Sequence, residues 1–180
     1  MAPRVERIST HRFRVRDRLI LDTNVWIYVE NSGDPRDRRT AIYSQALKAI
    51  RQAGSRIYIH EIILSELVNV LAHQEFHRAG LDRKRWDLRK FQKSAQFQAA
   101  AVGIANLLHG IINRCEVAHV KIAKLQLANI LQQFATSRSQ VNDLLIAEVC
   151  RSGDFTLVTH DAGFCGQRFR LLTENEKLLR

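Results

Sequence analysis

The sequence predicts an α/β domain, a largely parallel central sheet flanked by helices on both sides. Three observations predict it. Strand-like runs alternate with segments of helical periodicity along the whole chain. The run Leu19-Ile20-Leu21 is apolar without alternation, as in a strand buried on both faces. The 180 residues are 46% apolar with only two prolines, enough for one compact core and too few breakers for a disordered chain.

The elements follow in order. Residues 1–17 read as a basic arm with Arg4, Arg7, Arg12, Arg14 and Arg16, ahead of a single domain over 18–180. The arm frays, or packs on the domain through Val5, Ile8, Phe13 and Val15. The strand at 19–21 ends on Asp22, and a short helix over 25–29 is broken by residues 31–35, with Arg36, Arg38 and Arg39 on the loop. Tyr43, Ala46, Leu47, Ile50 and Ala53 mark a helix ended by Gly54, and 56–59 is the next strand. A helix over 61–77 carries Leu64, Leu67, Val68 and Leu71. Residues 82–113 read as a helical insertion, charged at first and then striped with Phe97, Ala101, Ile104, Leu108 and Ile111. A short strand within 115–120 and a helix over 121–135 come next. A helix over 143–150, capped from Asn142-Asp143, leads to a strand at 155–159 and a last strand at 168–172. No internal repeat and no Gly-, Ser- or Pro-rich linker divides the chain.

Composition narrows the function. A formal net charge of +10 suits a polyanionic partner, either nucleic acid or an acidic protein. Three widely spaced cysteines, Cys115, Cys150 and Cys165, fit neither a disulfide framework nor a paired-thiol zinc motif, and point to buried free thiols in a reducing cytoplasm. The N-terminus lacks the apolar core of a signal peptide. Residues 94–113 carry no charge, but glutamines, Asn106, His109 and abundant alanine make them a soluble helix rather than a membrane span.

Four acids stand out. In open parallel sheets ligands collect at the carboxyl ends of strands. Asp22 ends the first central strand, and Asp161 lies just past the strand at 155–159. Glu66 sits in the second turn of the helix after the strand at 56–59, and Asp143 opens a helix. Clustered carboxylates repel unless a cation intervenes. A hard divalent ion such as Mg²⁺ is the natural compensation, and beside a phosphodiester it supports hydrolysis. Taken singly, each acid has a plainer role: Asp22 and Asp143 as helix caps, Glu66 on a solvated face, Asp161 in a turn. Their joint placement carries the argument.

The motifs resemble PIN-domain ribonucleases, most of all the VapC-type toxins of toxin–antitoxin pairs. They stand as LILDTNVWIY, IYIHEIILSELVNVL, VNDLLIAEVC and FTLVTHDAGF, and the likeness runs from about residue 19 to 172. The resemblance implies a PIN-like fold and an endoribonuclease dependent on Mg²⁺ or Mn²⁺, with Asp22, Glu66, Asp143 and Asp161 as catalytic metal-binding acids. Asn24 matches a polar companion of the first acid and Thr159 a hydroxyl lining the site. It also implies an RNA substrate, a cognate antitoxin, a homodimer and no membrane. The chain is longer than a typical small toxin, so a housekeeping RNA-processing nuclease and a catalytically silent binding module remain alternatives. His60 stands where the family commonly has a small residue.

Other features have two readings each. Arg83, Lys84, Arg85, Arg89 and Lys90, with Trp86 or Phe91 stacking on bases, form an RNA-binding run, or a solvated helix face whose aromatics anchor it. The stripe from Phe97 to Ile111 is core or a groove for a partner. His160 points away from the site or shuttles protons. His73 and His77 read as solvent-exposed, because the helix lacks the glutamate of the metalloprotease motif.

Overall fold

The computed structural model describes residues 4–30, 36–137 and 139–180. Six strands form one sheet: β1 (Arg4–Arg7), β2 (Arg18–Leu21), β3 (Arg56–Ile59), β4 (Glu116–Val117), β5 (Thr156–Val158) and β6 (Arg170–Thr173). The spatial order is β1-β6-β5-β2-β3-β4, and every pairing is parallel. Seven helices are found among the described residues: α1 (Thr23–Glu30), α2 (Arg38–Gln52), α3 (Glu61–Arg78), α4 (Leu88–Gln92), α5 (Ala95–Ile112), α6 (Lys124–Thr136) and α7 (Val141–Ser152). Consecutive residues of β2, Leu19, Ile20 and Leu21, are each 1% exposed. Burial of neighbours that point to opposite faces means that both faces of the sheet are covered.

The order of the strands positions the site. The chain runs outward through β2, β3 and β4 on one side and through β5 and β6 on the other. The direction therefore switches between β2 and β5, which pair from Leu19↔Thr156 to Leu21↔Val158. Parallel sheets open a crevice at such a switch. Asp22 and Thr159 are the first residues past the ends of these two strands.

Several boundaries differ from the sequence reading, for local reasons. Within the basic arm, Arg4–Arg7 joins the sheet as an edge strand against β6, and Ile8 is buried in the core. The predicted break at 31–35 lies outside the described residues. Helix α1 begins at Thr23, because the Asp22 carbonyl already accepts from Val25 and Trp26 N–H. Helix α7 begins at Val141, two residues ahead of the expected cap. Gln140 is its extended N-cap residue, so Asp143 lies in the first turn. Strand β5 is shorter than expected, β6 starts later at Arg170, β4 keeps two residues, and α6 starts at Lys124.

The insertion packs inward. Phe91 is buried and meets Phe76 and Phe97 at ring separations of 5.5 and 5.3 Å, so it anchors rather than stacks on bases. Leu108 and Ile111 of α5 are buried, with Ile104 packed against the core, which removes most of the proposed partner groove. Helix α5 is long and apolar enough to cross a membrane by composition alone. Exposed large apolar residues gather on α6, where Leu127, Leu131 and Phe134 recur at helical spacing beside Leu125, and the others are scattered singly. Of the cysteines, Cys150 is buried and Cys115 partly so, whereas Cys165 is exposed, against expectation. Burial pushes the Cys115 thiol up to about 12.

Candidate active site

Asp22 is held by the backbone and by two neighbours. Its N–H donates to the Val158 carbonyl at 2.9 Å, which fixes it to the end of β5. Its Oδ1 accepts from Thr23 N–H at 2.7 Å. Its Oδ2 accepts from Thr159 Oγ1 at 2.6 Å and from Asn24 Nδ2 at 2.5 Å. The carboxylate is therefore both a cap for α1 and a member of the cleft. Asn24 completes the brace by accepting from His160 N–H at 3.1 Å, and Thr159 Oγ1 accepts from Asp161 N–H at 3.0 Å.

The other acids come from separate elements. Glu66 of α3 accepts from Thr23 Oγ1 at 3.1 Å, which ties α3 to the start of α1. Asp161 precedes a 3₁₀ turn over Ala162–Phe164 and accepts from Gly163 N–H at 2.8 Å. Gly163 leaves room for two carboxylates. A Cβ there would stand 3.0 Å from Asp143 Oδ2 and 3.3 Å from Asp161 Oδ1. Asp22, Asn24, Glu66, Asp143 and Asp161 line one cleft of about 260 Å³, together with Thr23, Ile27, Tyr28 and Val70. Thr159 lies beneath it, bonded to Asp22. The run from Arg83 to Lys90 is not part of the lining, and Trp86 is half-buried.

The electrostatics of the cleft are unbalanced. No cationic side chain is among its described lining residues. Burial, reinforced by Glu66 and Asp161, pushes Asp22 up to about 7 against the pull of the Thr159 and Thr23 hydrogen bonds. Burial, then Asp161 and Glu66, pushes Asp143 up to about 6. Both shifts are what carboxylates show when they are buried beside other acids. Among the described residues no three or more His, Cys, Asp or Glu side chains stand close enough together to hold a metal ion as placed. An open, all-oxygen donor set of this kind suits an ion that retains several of its waters.

Features outside the sequence reading surround the acids. Thr23 orients Glu66, and Tyr28 forms a wall whose hydroxyl accepts from Arg39 Nη1 at 2.9 Å. Arg39 also lies 4.7 Å from the Tyr28 ring and pairs with Asp37. Tyr43 of α2 donates to the Thr159 carbonyl at 3.1 Å, accepts from Glu174 N–H at 3.2 Å, and lies 3.0 Å from His160 Nδ1. His160 is thus engaged by aromatic neighbours and is not among the residues lining the cleft; burial, then Arg39, lowers its pKa. His60 caps α3 by accepting from Ile62 N–H at 3.3 Å, and its Nε2 is buried with no close hydrogen-bond partner among the described residues. His73 and His77 are exposed, and His77 Nδ1 meets Arg83. Only Thr23 and Gly163 had a sequence signal, their adjacency to Asp22 and Asp161. Tyr28 and Tyr43 gave none.

A sequence model of the PIN domain matches residues 19–169. The chain belongs to the PIN domain family. Solved structures that share the fold of this PIN-domain protein include two that it covers over at least 90% of their length. One is VapBC2 from Rickettsia felis bound to a DNA fragment from their promoter, with a TM-score of 0.51 and 18% identity, covering 88% of this chain and 98% of that one. The other is PAE2754 from Pyrobaculum aerophilum, with a TM-score of 0.50 and 15% identity, covering 93% of this chain and 90% of that one. No curated protein matches the sequence.

Proposed function

We propose that this PIN-domain protein is an endoribonuclease dependent on Mg²⁺ or Mn²⁺, and the toxin of a type II toxin–antitoxin pair. The observation that carries the reading is the cleft at the β2/β5 switch, where four carboxylates gather with no cation among the described lining residues. Asp22 and Asp143 hold the ion in this reading, with Glu66 and Asp161 completing the site. When bound, such an ion polarises a phosphoryl oxygen and lowers the pKa of its water. Thr159 and Asn24 fix the orientation of Asp22, and Thr23 does the same for Glu66. No protein nucleophile is needed, because the attacking oxygen comes from water.

The toxin assignment rests on the four motifs together, the fold shared with VapBC2, and the charge of +10, which suits an acidic antitoxin. The exposed apolar residues of α6 are the surface best suited to an apolar antitoxin segment. A homodimer in the cytoplasm belongs to the same reading. The test is cleavage of RNA by purified protein with Mn²⁺. Asp22→Asn and Asp143→Asn should each abolish it with the circular dichroism spectrum unchanged, and full cleavage by both variants would sink the assignment. Growth arrest on expression, relieved by the neighbouring gene, separates a toxin from a processing nuclease.

A further inference from the structure

The opposite rim of the sheet carries the opposite charge. Four of the six strands begin on arginine: Arg4, Arg18, Arg56 and Arg170. The register sets Arg18 beside Arg56 and Arg4 beside Arg170. In a parallel sheet these positions share one edge, at the end away from the carboxylates. Two of the guanidinium groups serve the protein itself. Arg18 donates to the Gly153 carbonyl at 2.9 Å and lies 4.5 Å from the Phe155 ring, and Arg170 pairs with Asp154 at 2.8 Å.

Arg56 is different, because it is exposed and has no ion pair among the described residues. The turn before β2 brings two more such arginines to it. Ser55 Oγ donates to the Arg14 carbonyl at 2.7 Å, and Arg56 N–H donates to the Asp17 carbonyl at 3.0 Å. These bonds hold Arg14 and Arg16 against the start of β3. Both are exposed and unpaired among the described residues. Asp17 forms no ion pair with them among the described residues: its carboxylate accepts from the main-chain N–H of Arg14 at 2.8 Å and lies 3.6 Å from His11 Nε2.

We propose that Arg14, Arg16 and Arg56 form a docking surface for the phosphodiester backbone of RNA, separate from the acidic cleft. Like charges gathered without an ion pair disfavour a fold, and an anionic partner relieves them. The guanidinium fork matches a phosphate group. A protein partner needs apolar anchors at the centre of its interface. Here Val15 alone, 70% exposed, is available, while Leu125, Leu127, Leu131 and Phe134 lie on α6. The choice of RNA rests on the nuclease reading; the basic edge does not. Four-residue strands separate the two rims by roughly 13 Å or more. Only an RNA longer than the few nucleotides at the cleft touches both.

The experiment measures binding of a 40-nucleotide single-stranded RNA by fluorescence anisotropy in EDTA, where metal-dependent cleavage is off. The triple variant R14S/R16S/R56S should bind at least tenfold more weakly at low salt. Its slope of log K against log salt should be shallower by about 2, from three contacts at roughly 0.7 each. The lysine triple R14K/R16K/R56K should recover most of the affinity, and R83S/K84S/R85S should retain it. Unchanged affinity and slope in the serine triple would overturn the proposal. So would an equal loss of binding to poly-L-glutamate, which marks a surface for acidic protein. Cleavage of an eight-nucleotide RNA in Mn²⁺ should match wild type in the serine triple. Absence of cleavage in the wild type counts against the nuclease reading and leaves the anisotropy result standing.

Discussion

Asp22 accepts three hydrogen bonds and still titrates near 7, so desolvation outweighs its donors. Its carboxyl binds a proton more tightly in the fold than in the unfolded chain. The contribution to stability is therefore greatest in acid and is lost as pH rises from about 4 to 7, with Asp143 adding a smaller loss up to about 6. In chelator, Tm should fall between pH 4 and 7.5. The Asp22 part is on the order of 4 kcal/mol at most, from a shift of about three units. Asp22→Asn should flatten the fall to the part owed to Asp143. It should stabilise the chelated protein at pH 7.5 by only about 1–2 kcal/mol, because the new amide nitrogen faces either the Thr23 N–H or the Thr159 hydroxyl and Asn24 amide together, all donors to the present carboxylate. A thermal melt series against pH checks both. Gly163 tests the spacing of the acids instead. Gly163→Ala presses on Asp143 and Asp161, so the Mn²⁺ concentration needed to raise Tm should increase about tenfold with the metal-free Tm unchanged.

At the scale of elements, the clamp on the end of β5 is the feature that sequence reasoning could not see. Tyr43 looks like one more apolar position of α2, yet its hydroxyl joins Thr159, His160 and Glu174 from two strand ends. Tyr43→Phe keeps the packing and removes these bonds. It should cost about 1–2 kcal/mol in urea denaturation and weaken the metal-induced rise in Tm by loosening the segment that carries Thr159 and Asp161. An unchanged rise would show that the strand end holds itself. What was legible follows the physics of each element. Central strands announce themselves by unbroken apolar runs, so β2 and its terminal acid were plain from Leu19 to Asp22. Strand β1 was not, because an edge strand buries little and Arg-Val-Glu-Arg shows one apolar side chain. The cap of α7 was misplaced because Gln140 caps through backbone geometry with no side-chain bond. The gathering of the acids was legible because strand ends in a parallel sheet share a rim. The wall made by Tyr28 was not, since it depends on how α1 packs beside α2.

The molecule as a whole is polarised, with carboxylates at one end of a parallel sheet and arginines at the other. The sheet is closed on the β6 side by the chain's own beginning. Four registered pairs join β1 to β6, Arg7 bonds Glu174 at 2.8 Å and Glu176 at 2.7 Å, and Ile8 is 2% exposed. The exposed ion pairs contribute little. Burial of Ile8 contributes about 2–3 kcal/mol, and β1 covers the apolar strand β6 with a short charged edge strand, Arg-Val-Glu-Arg, which discourages association. Removal of residues 1–9 should therefore lower the urea midpoint by an amount equivalent to at least about 3 kcal/mol and make the protein aggregate at micromolar concentration. The acidic cleft lies at the ends of β2 and β5 and on α1, α3 and α7, and β1 pairs with neither of those strands. The soluble fraction of the truncated protein should keep the full Mn²⁺-induced rise in Tm. A truncated chain as stable as the intact one would mean that β1 is an ornament of the sheet, and that residues 1–17 are the free arm their charge suggests.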